Sequence, residues 1–155
     1  MRYLLPVLLL SACAEAPSYD LATAPPSEVR TEADARVSAG DWGTFYQYYS
    51  EATPIVDSVN VGVAKIQAGR NEPHPPHKHA EEEYIMVLEG RGEWYLNGET
   101  VPAAKGDILY ARSWDYHGIS SDPDAPLDFV IFKYIGAQLD MPGDPDPSQP
   151  LEITP

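Results

Sequence analysis

Cysteine is nearly absent from this 155-residue chain: Cys13 is the only one. A lone thiol excludes an intramolecular disulfide framework and leaves the redox compartment undetermined. Basic residues are scarce as well, ten Lys and Arg against 24 Asp and Glu, for a formal net charge of −14. With no basic patch to release phosphate counterions, nucleic-acid binding is not expected. The acidic excess is spread rather than blocked, since residues 41–135 carry 15 acids and 7 bases; we read it as solubility. The apolar run Tyr3–Leu10 is too short to span a bilayer. Gly-rich phosphate loops, Ser/His/Asp patterns and nucleotide fingerprints are missing too.

Histidine is also sparse, at four residues, yet three of the four lie between positions 74 and 79. His77 and His79 are two apart, which on a β-strand places both imidazoles on one face, and Glu83, Ile85 and Val87 keep the same parity. Two nitrogens and a carboxylate on one face, with His117 arriving from another strand, suit a divalent transition metal such as iron, manganese, nickel or zinc. Calcium and magnesium prefer all-oxygen shells. His74 reads as a loop histidine facing water, with a supporting or entrance role as the alternative.

The spacing of His77, His79, Glu83 and Gly90 resembles the first motif of the cupin superfamily. Gly90 selects Glu83 as the motif's acid and leaves Glu81 and Glu82 as flanking charge. Gly106-Asp107 followed by His117 resembles the second motif. Arg112 stands where that motif usually has Pro, Trp114 where it has Gly, and Ser121 where Asn is common, so the turn presenting His117 is expected to differ. The resemblance runs from about Gly43 to Ile135. It implies a metal held by His77, His79, Glu83 and His117, with Glu83 as the candidate catalytic carboxylate.

The rest of the chain reads as short strands and turns. Thr44–Tyr49, Asp57–Gln67, a ligand strand running to Leu88, Glu93–Leu96, Asp107–Ala111, Tyr116–Ser120 and Leu127–Ile135 are strand-like. Glu89–Gly92 reads as a turn, and Asn97-Gly98 is a type I′ hairpin signal. At least eight antiparallel strands indicate an all-β jelly-roll barrel, the double-stranded β-helix of cupins. Before it, Leu10-Ser11-Ala12-Cys13 resembles a bacterial lipoprotein signal, which implies cleavage ahead of Cys13 and acylation of its thiol. The expected organisation is a signal peptide at 1–12, a lipidated Cys13 and flexible tether at 13–40, a cupin domain at 41–135 and a Pro-rich acidic disordered tail at 136–155. Ser27–Ala39 has weak helical character. The implied location is the bacterial cell envelope, on the outer membrane facing the periplasm.

Fold alone does not choose a function. One expectation is a metal-dependent enzyme acting on a small organic molecule, with oxygen-dependent, dioxygenase-like chemistry favoured over isomerase or lyase chemistry. The other is a non-catalytic module that binds a small ligand or metal. Arg112 is a candidate for a substrate carboxylate and Trp114 for an apolar pocket wall. Their alternatives are a surface ion pair and a packed rim aromatic. The aromatic strand Phe45–Tyr49 offers a sheet edge, from which a homodimer is expected.

Overall fold

The computed structural model describes residues 24–137 and 143–151. The signal segment and Cys13 lie outside them. Eight strands make up the fold: β1 (Arg36–Gly40), β2 (Gly43–Tyr49), β3 (Val56–Ile66), β4 (Glu82–Leu96), β5 (Glu99–Ala104), β6 (Ile108–Ala111), β7 (His117–Ser121) and β8 (Leu127–Gly136). All pairings between them are antiparallel, as the closely spaced turns require.

β4 joins the two layers of the roll. Its first half lies between β8 and β6, and its second half between β5 and β7. The expected turn at Glu89–Gly92 is therefore a bend within one strand. The β4–β8 register slips between Val87 and Glu89, a bulge that sharpens local twist. Gly90 follows at φ +84°, and a Cβ on it would run into the carbonyl oxygen of Pro126. Only glycine fits there. At the far end of β4, Asn97 and Gly98 both have positive φ (48° and 94°), as the hairpin signal requires.

Strict alternation builds the core. Ile85 and Val87 of β4 face inward with Ala64 and Ile66 of β3 and Leu127, Phe129 and Ile131 of β8. Trp94, Ala103 and Ile119 close the core from the second layer. The alternation continues past the apolar part, so Glu83 and Lys133, directly opposite each other on β4 and β8, also face inward and are buried. The functional end of the barrel is thus an extension of the core pattern with polar side chains substituted.

Four expectations about organisation are corrected. The tether does not extend to Gly40, because Arg36–Gly40 pairs with β2 along its length. The weak helical stretch shrinks to a 3-10 turn at Glu32–Asp34, where the Asp34 carboxylate takes the Thr31 backbone N–H and hydroxyl. β1 also covers the Phe45–Tyr49 edge on which the homodimer expectation rested. Part of the tail is ordered: Lys78 is 2% exposed, and its ammonium pairs with Asp144 Oδ1 at 2.7 Å and donates to the carbonyl oxygen of Asp146. A buried ammonium must be paired, and the tail supplies the partner.

Candidate metal centre

Backbone hydrogen bonds set the ligand positions before any side chain does. His77 and His117 form an isolated bridge, each N–H donating to the other's carbonyl at 2.9 Å. The two imidazoles therefore start from facing positions, and their ring centroids are 4.9 Å apart. The chain leaves this pairing after Lys78, and β4 begins at Glu82. The expected ligand strand is thus interrupted, yet His79 and Glu83 still turn inward.

Each expected histidine is oriented through its Nδ1 atom. Nδ1 of His77 meets the carbonyl of Pro75 at 2.6 Å, that of His79 the carbonyl of Glu81 at 3.0 Å, and that of His117 the carbonyl of Asp115 at 2.8 Å. A carbonyl can only accept, so Nδ1 carries the hydrogen and Nε2 is the inward-facing donor atom, as in metal-binding histidines. Nε2 of His79 and of His117 both lie 2.8 Å from the same oxygen, Glu83 Oε2.

Three of the four expected ligands, His77, Glu83 and His117, form one group with His74, whereas His79 lies outside that group and adjoins it through Glu83 Oε2 at 2.8 Å. His74 is 4% exposed rather than facing water, which corrects the sequence reading. Its backbone N–H donates to Asn71 and its carbonyl accepts from Ile119 of β7. The loop is thereby tied to the barrel, and the ring stands edge-on to His77 at 4.3 Å. One donor atom from each of His74, His77, Glu83 and His117 lies within 4.8 Å of the others. The available signal was a His74-x-x-His77 spacing inside a run of prolines, which composition alone assigns to a loop.

Three buried polar atoms in this cluster have no hydrogen-bond partner: His74 Nε2, His77 Nε2 and Glu83 Oε1. Orphaned buried polar atoms are costly, and a cation among them would satisfy all three. Donors about 2.1 Å from an ion lie roughly 3 Å apart when adjacent and about 4 Å when opposite. The separations of 2.8 and 3.6 Å around Glu83 fit that scale. Burial holds the His74 imidazole well below its ordinary range and His77 at about 4, so both are neutral at neutral pH, the state that metal ligation requires. Burial pushes the Glu83 carboxyl up, but the surrounding imidazoles of His74, His117 and His79 outweigh it and hold the group well below the usual range. His117 is the converse case, raised overall because its bond to Glu83 overcomes burial.

Neither candidate pocket residue lines the cavity. The Arg112 side chain is 72% exposed and pairs with Asp115 at 3.0 Å; the surface ion pair holds. Trp114 sits at φ +67°, so the turn keeps the backbone conformation of the glycine that motif usually has, despite the bulky residue. Its N–H donates to the His79 carbonyl at 2.9 Å, which fixes the ligand's backbone. Ser121 keeps a structural role: its hydroxyl donates to the Gln67 carbonyl at 2.6 Å and accepts from Arg70 N–H at 2.9 Å. The cavity beside the cluster, about 360 Å³, is instead walled by residues including Arg36, Phe45, Asn60, His74, Ile131 and Lys133.

Comparison with known proteins agrees with this fold. A family profile described as the cupin domain matches residues 62–133. A gentisate 1,2-dioxygenase of a Streptomyces species is 33% identical over 60 residues, 38% of this chain and only 17% of that protein's length. Among solved structures, a predicted oxalate decarboxylase of Thermotoga maritima superposes with a TM-score of 0.55 at 19% identity, covering 70% of this chain and 99% of that one. A salicylate 1,2-dioxygenase of Pseudoaminobacter salicylatoxidans gives 0.52 at 18%, covering 63% and 26%. At such identities the structures speak for the fold alone. Motif spacing, strand order and family match converge: residues 62–133 form a cupin domain.

Proposed function

We propose that the chain is a metal-dependent, oxygen-consuming enzyme acting on a small organic molecule at the bacterial cell envelope, held there through an acylated Cys13. The observation that carries the catalytic part is the set of orphaned donors His74 Nε2, His77 Nε2 and Glu83 Oε1 beside a cavity. His77, His79, Glu83 and His117 hold the ion, with His74 as a further donor on the cavity side. Such an ion supplies Lewis acidity and, if iron, the capacity to engage dioxygen at an open position. The chain's own part is to keep Glu83 ionised, fix the Nε2 donors through Nδ1–carbonyl bonds, and present the substrate from the cavity. The local identity to a gentisate dioxygenase supports oxygenase chemistry over isomerase or lyase chemistry. The envelope location rests on the Leu10–Cys13 signal alone.

The test is metal analysis of protein purified without chelator, followed by oxygen uptake with the Fe(II)-loaded protein over a panel of small acids and phenols. Substrate-dependent uptake that Glu83→Ala abolishes supports the reading. A fully loaded protein that binds ligands but consumes no oxygen would make it a binding module instead.

A further inference from the structure

The inward face beside the metal cluster carries a second pattern that the motifs do not specify. Asn60 of β3 pairs with Lys133 of β8, which pairs with Glu83 of β4. Residues directly opposite on neighbouring strands share a face, so the three side chains form one row across the barrel wall. Strands are about 4.8 Å apart, so the row spans roughly 10 Å, about the reach of a single substituted ring. Arg36 of β1 lines the same cavity, opposite Gln47 in the register.

The charges of this wall run against those of the chain. In a protein of net charge −14, Arg36 and Lys133 converge on one cavity, and Lys133 is only 6% exposed. The carboxylates there are Glu81 and Glu83, and Glu83 is committed to the histidine cluster. Once a divalent ion is in place, positive charge outweighs negative across the cavity. Phe45 and Ile131 give it an apolar side. Asn60 Oδ1 is buried without a hydrogen-bond partner, an acceptor that calls for a donor from whatever fills the space.

We propose that this cavity selects a small carboxylic acid with an apolar, ring-sized body, its carboxylate received by Lys133 and Arg36 and a hydroxyl donated to Asn60 Oδ1. The inference rests on the metal-enzyme reading for the role of the acid as substrate, whereas Lys133, Arg36 and Asn60 line the cavity with or without the ion. A volume of about 360 Å³ is at the small end for ligand sites, which suits a one-ring acid. Lys133 also takes part in contacts within the protein, so the ligand shares its ammonium.

The test uses calorimetric titration of the zinc-loaded and the chelator-treated chain, zinc being redox-silent, with 3-hydroxybenzoate and its neutral analogue 3-hydroxybenzamide. Their meta hydroxyl cannot chelate the ion together with the carboxyl group. The expected result is a preference for the carboxylate of about tenfold or more, as hydrogen bonds to charged groups provide. Lys133→Met should bring the ratio close to one and Arg36→Gln should reduce it severalfold, both with unchanged zinc stoichiometry. If Lys133→Met does not fold, Arg36→Gln decides, because Arg36 lies on the exposed edge strand. Equal affinity for the two probes, binding of neither, or a ratio that Arg36→Gln leaves intact overturns the proposal. One-to-one zinc binding without carboxylate preference defeats only this inference and leaves the metal reading standing. Carboxylate preference in a chain that takes up no zinc does the reverse.

Discussion

Replacing His74 by Ala separates the ligand set expected from motif spacing from the one the geometry adds. Its Nε2 lies 3.6 Å from Glu83 Oε1 and has no other partner, so His74→Ala removes a donor rather than a surface ring. Ligand binding stabilises a fold by about 2.7 kcal/mol when free metal is 100 times Kd. At about 4 °C per kcal/mol for a domain this size, loading should raise Tm by roughly 10 °C. Loss of one donor should weaken binding by about 100-fold, the upper end of what even supporting residues cost. At the same metal concentration the stabilisation then falls to about 0.4 kcal/mol and the shift to roughly 2 °C. His79→Ala should behave alike, and the double variant should show no metal-dependent shift. The assay is thermal melting without Zn(II) and with free Zn(II) at about 100 times the parent's Kd, backed by metal content after dialysis. A His74→Ala protein whose shift and stoichiometry match the parent removes His74 from the shell and refutes the reasoning.

Single contacts elsewhere are open to equally direct tests. Ser121→Ala strips partners from Gln67 O and Arg70 N and should cost about 1–3 kcal/mol in denaturant unfolding; a change under ~0.5 kcal/mol would count against that role. Asp144→Asn leaves the Lys78 ammonium buried with its ion pair lost, which should cost about 3 kcal/mol. It should also lower zinc affinity, since Lys78 lies between two ligands; unchanged affinity would show that the tail does not brace the site. In the metal-free protein, burial keeps His77 near 4 and His74 well below its ordinary range. The unfolded chain then binds more protons as pH falls from about 6.5, so their stabilisation is present above that pH and lost below it. Glu83, held low, adds to the loss as pH drops through its folded value, whereas His117, raised, works in the opposite direction. The denaturation midpoint should therefore fall between pH 7 and pH 4.5; a flat or rising profile overturns this.

The barrel and three of the cluster's members were legible because both rest on period two. Ile85, Val87 and Glu83 share a parity in the sequence and a face in the fold, and Asn97-Gly98 names its own turn. What could not be read depends on contacts distant in the chain. Nothing near His74 announces that Ile119 will hold its carbonyl, and Pro-rich surroundings argue for a loop, which it is, though a buried one. The turn expected at Glu89–Gly92 failed for a related reason. Its two glycines give the segment turn composition, but pairing on both sides of β4 converts the turn into a bend. Arg112 and Trp114 drew attention by departing from the motif, whereas the cationic wall of Lys133 and Arg36 emerges only once β8 and β1 are placed in register.

That register explains why one end of this barrel can hold chemistry while the other end only packs. Along β4 and β8 the inward positions read Val87, Ile85, Glu83 and Phe129, Ile131, Lys133, so hydrophobic burial anchors the row before the charged pair is reached. Desolvating a carboxylate and an ammonium there is costly and contributes nothing to folding that two more aliphatics would not provide. The four histidines of the chain all gather at this one carboxylate. A protein of this composition would lose nothing structurally by scattering them in solvent. Their convergence, with Nδ1 of His77, His79 and His117 fixed outward on carbonyls and Nε2 turned inward, is what a bound cation requires and what packing alone does not.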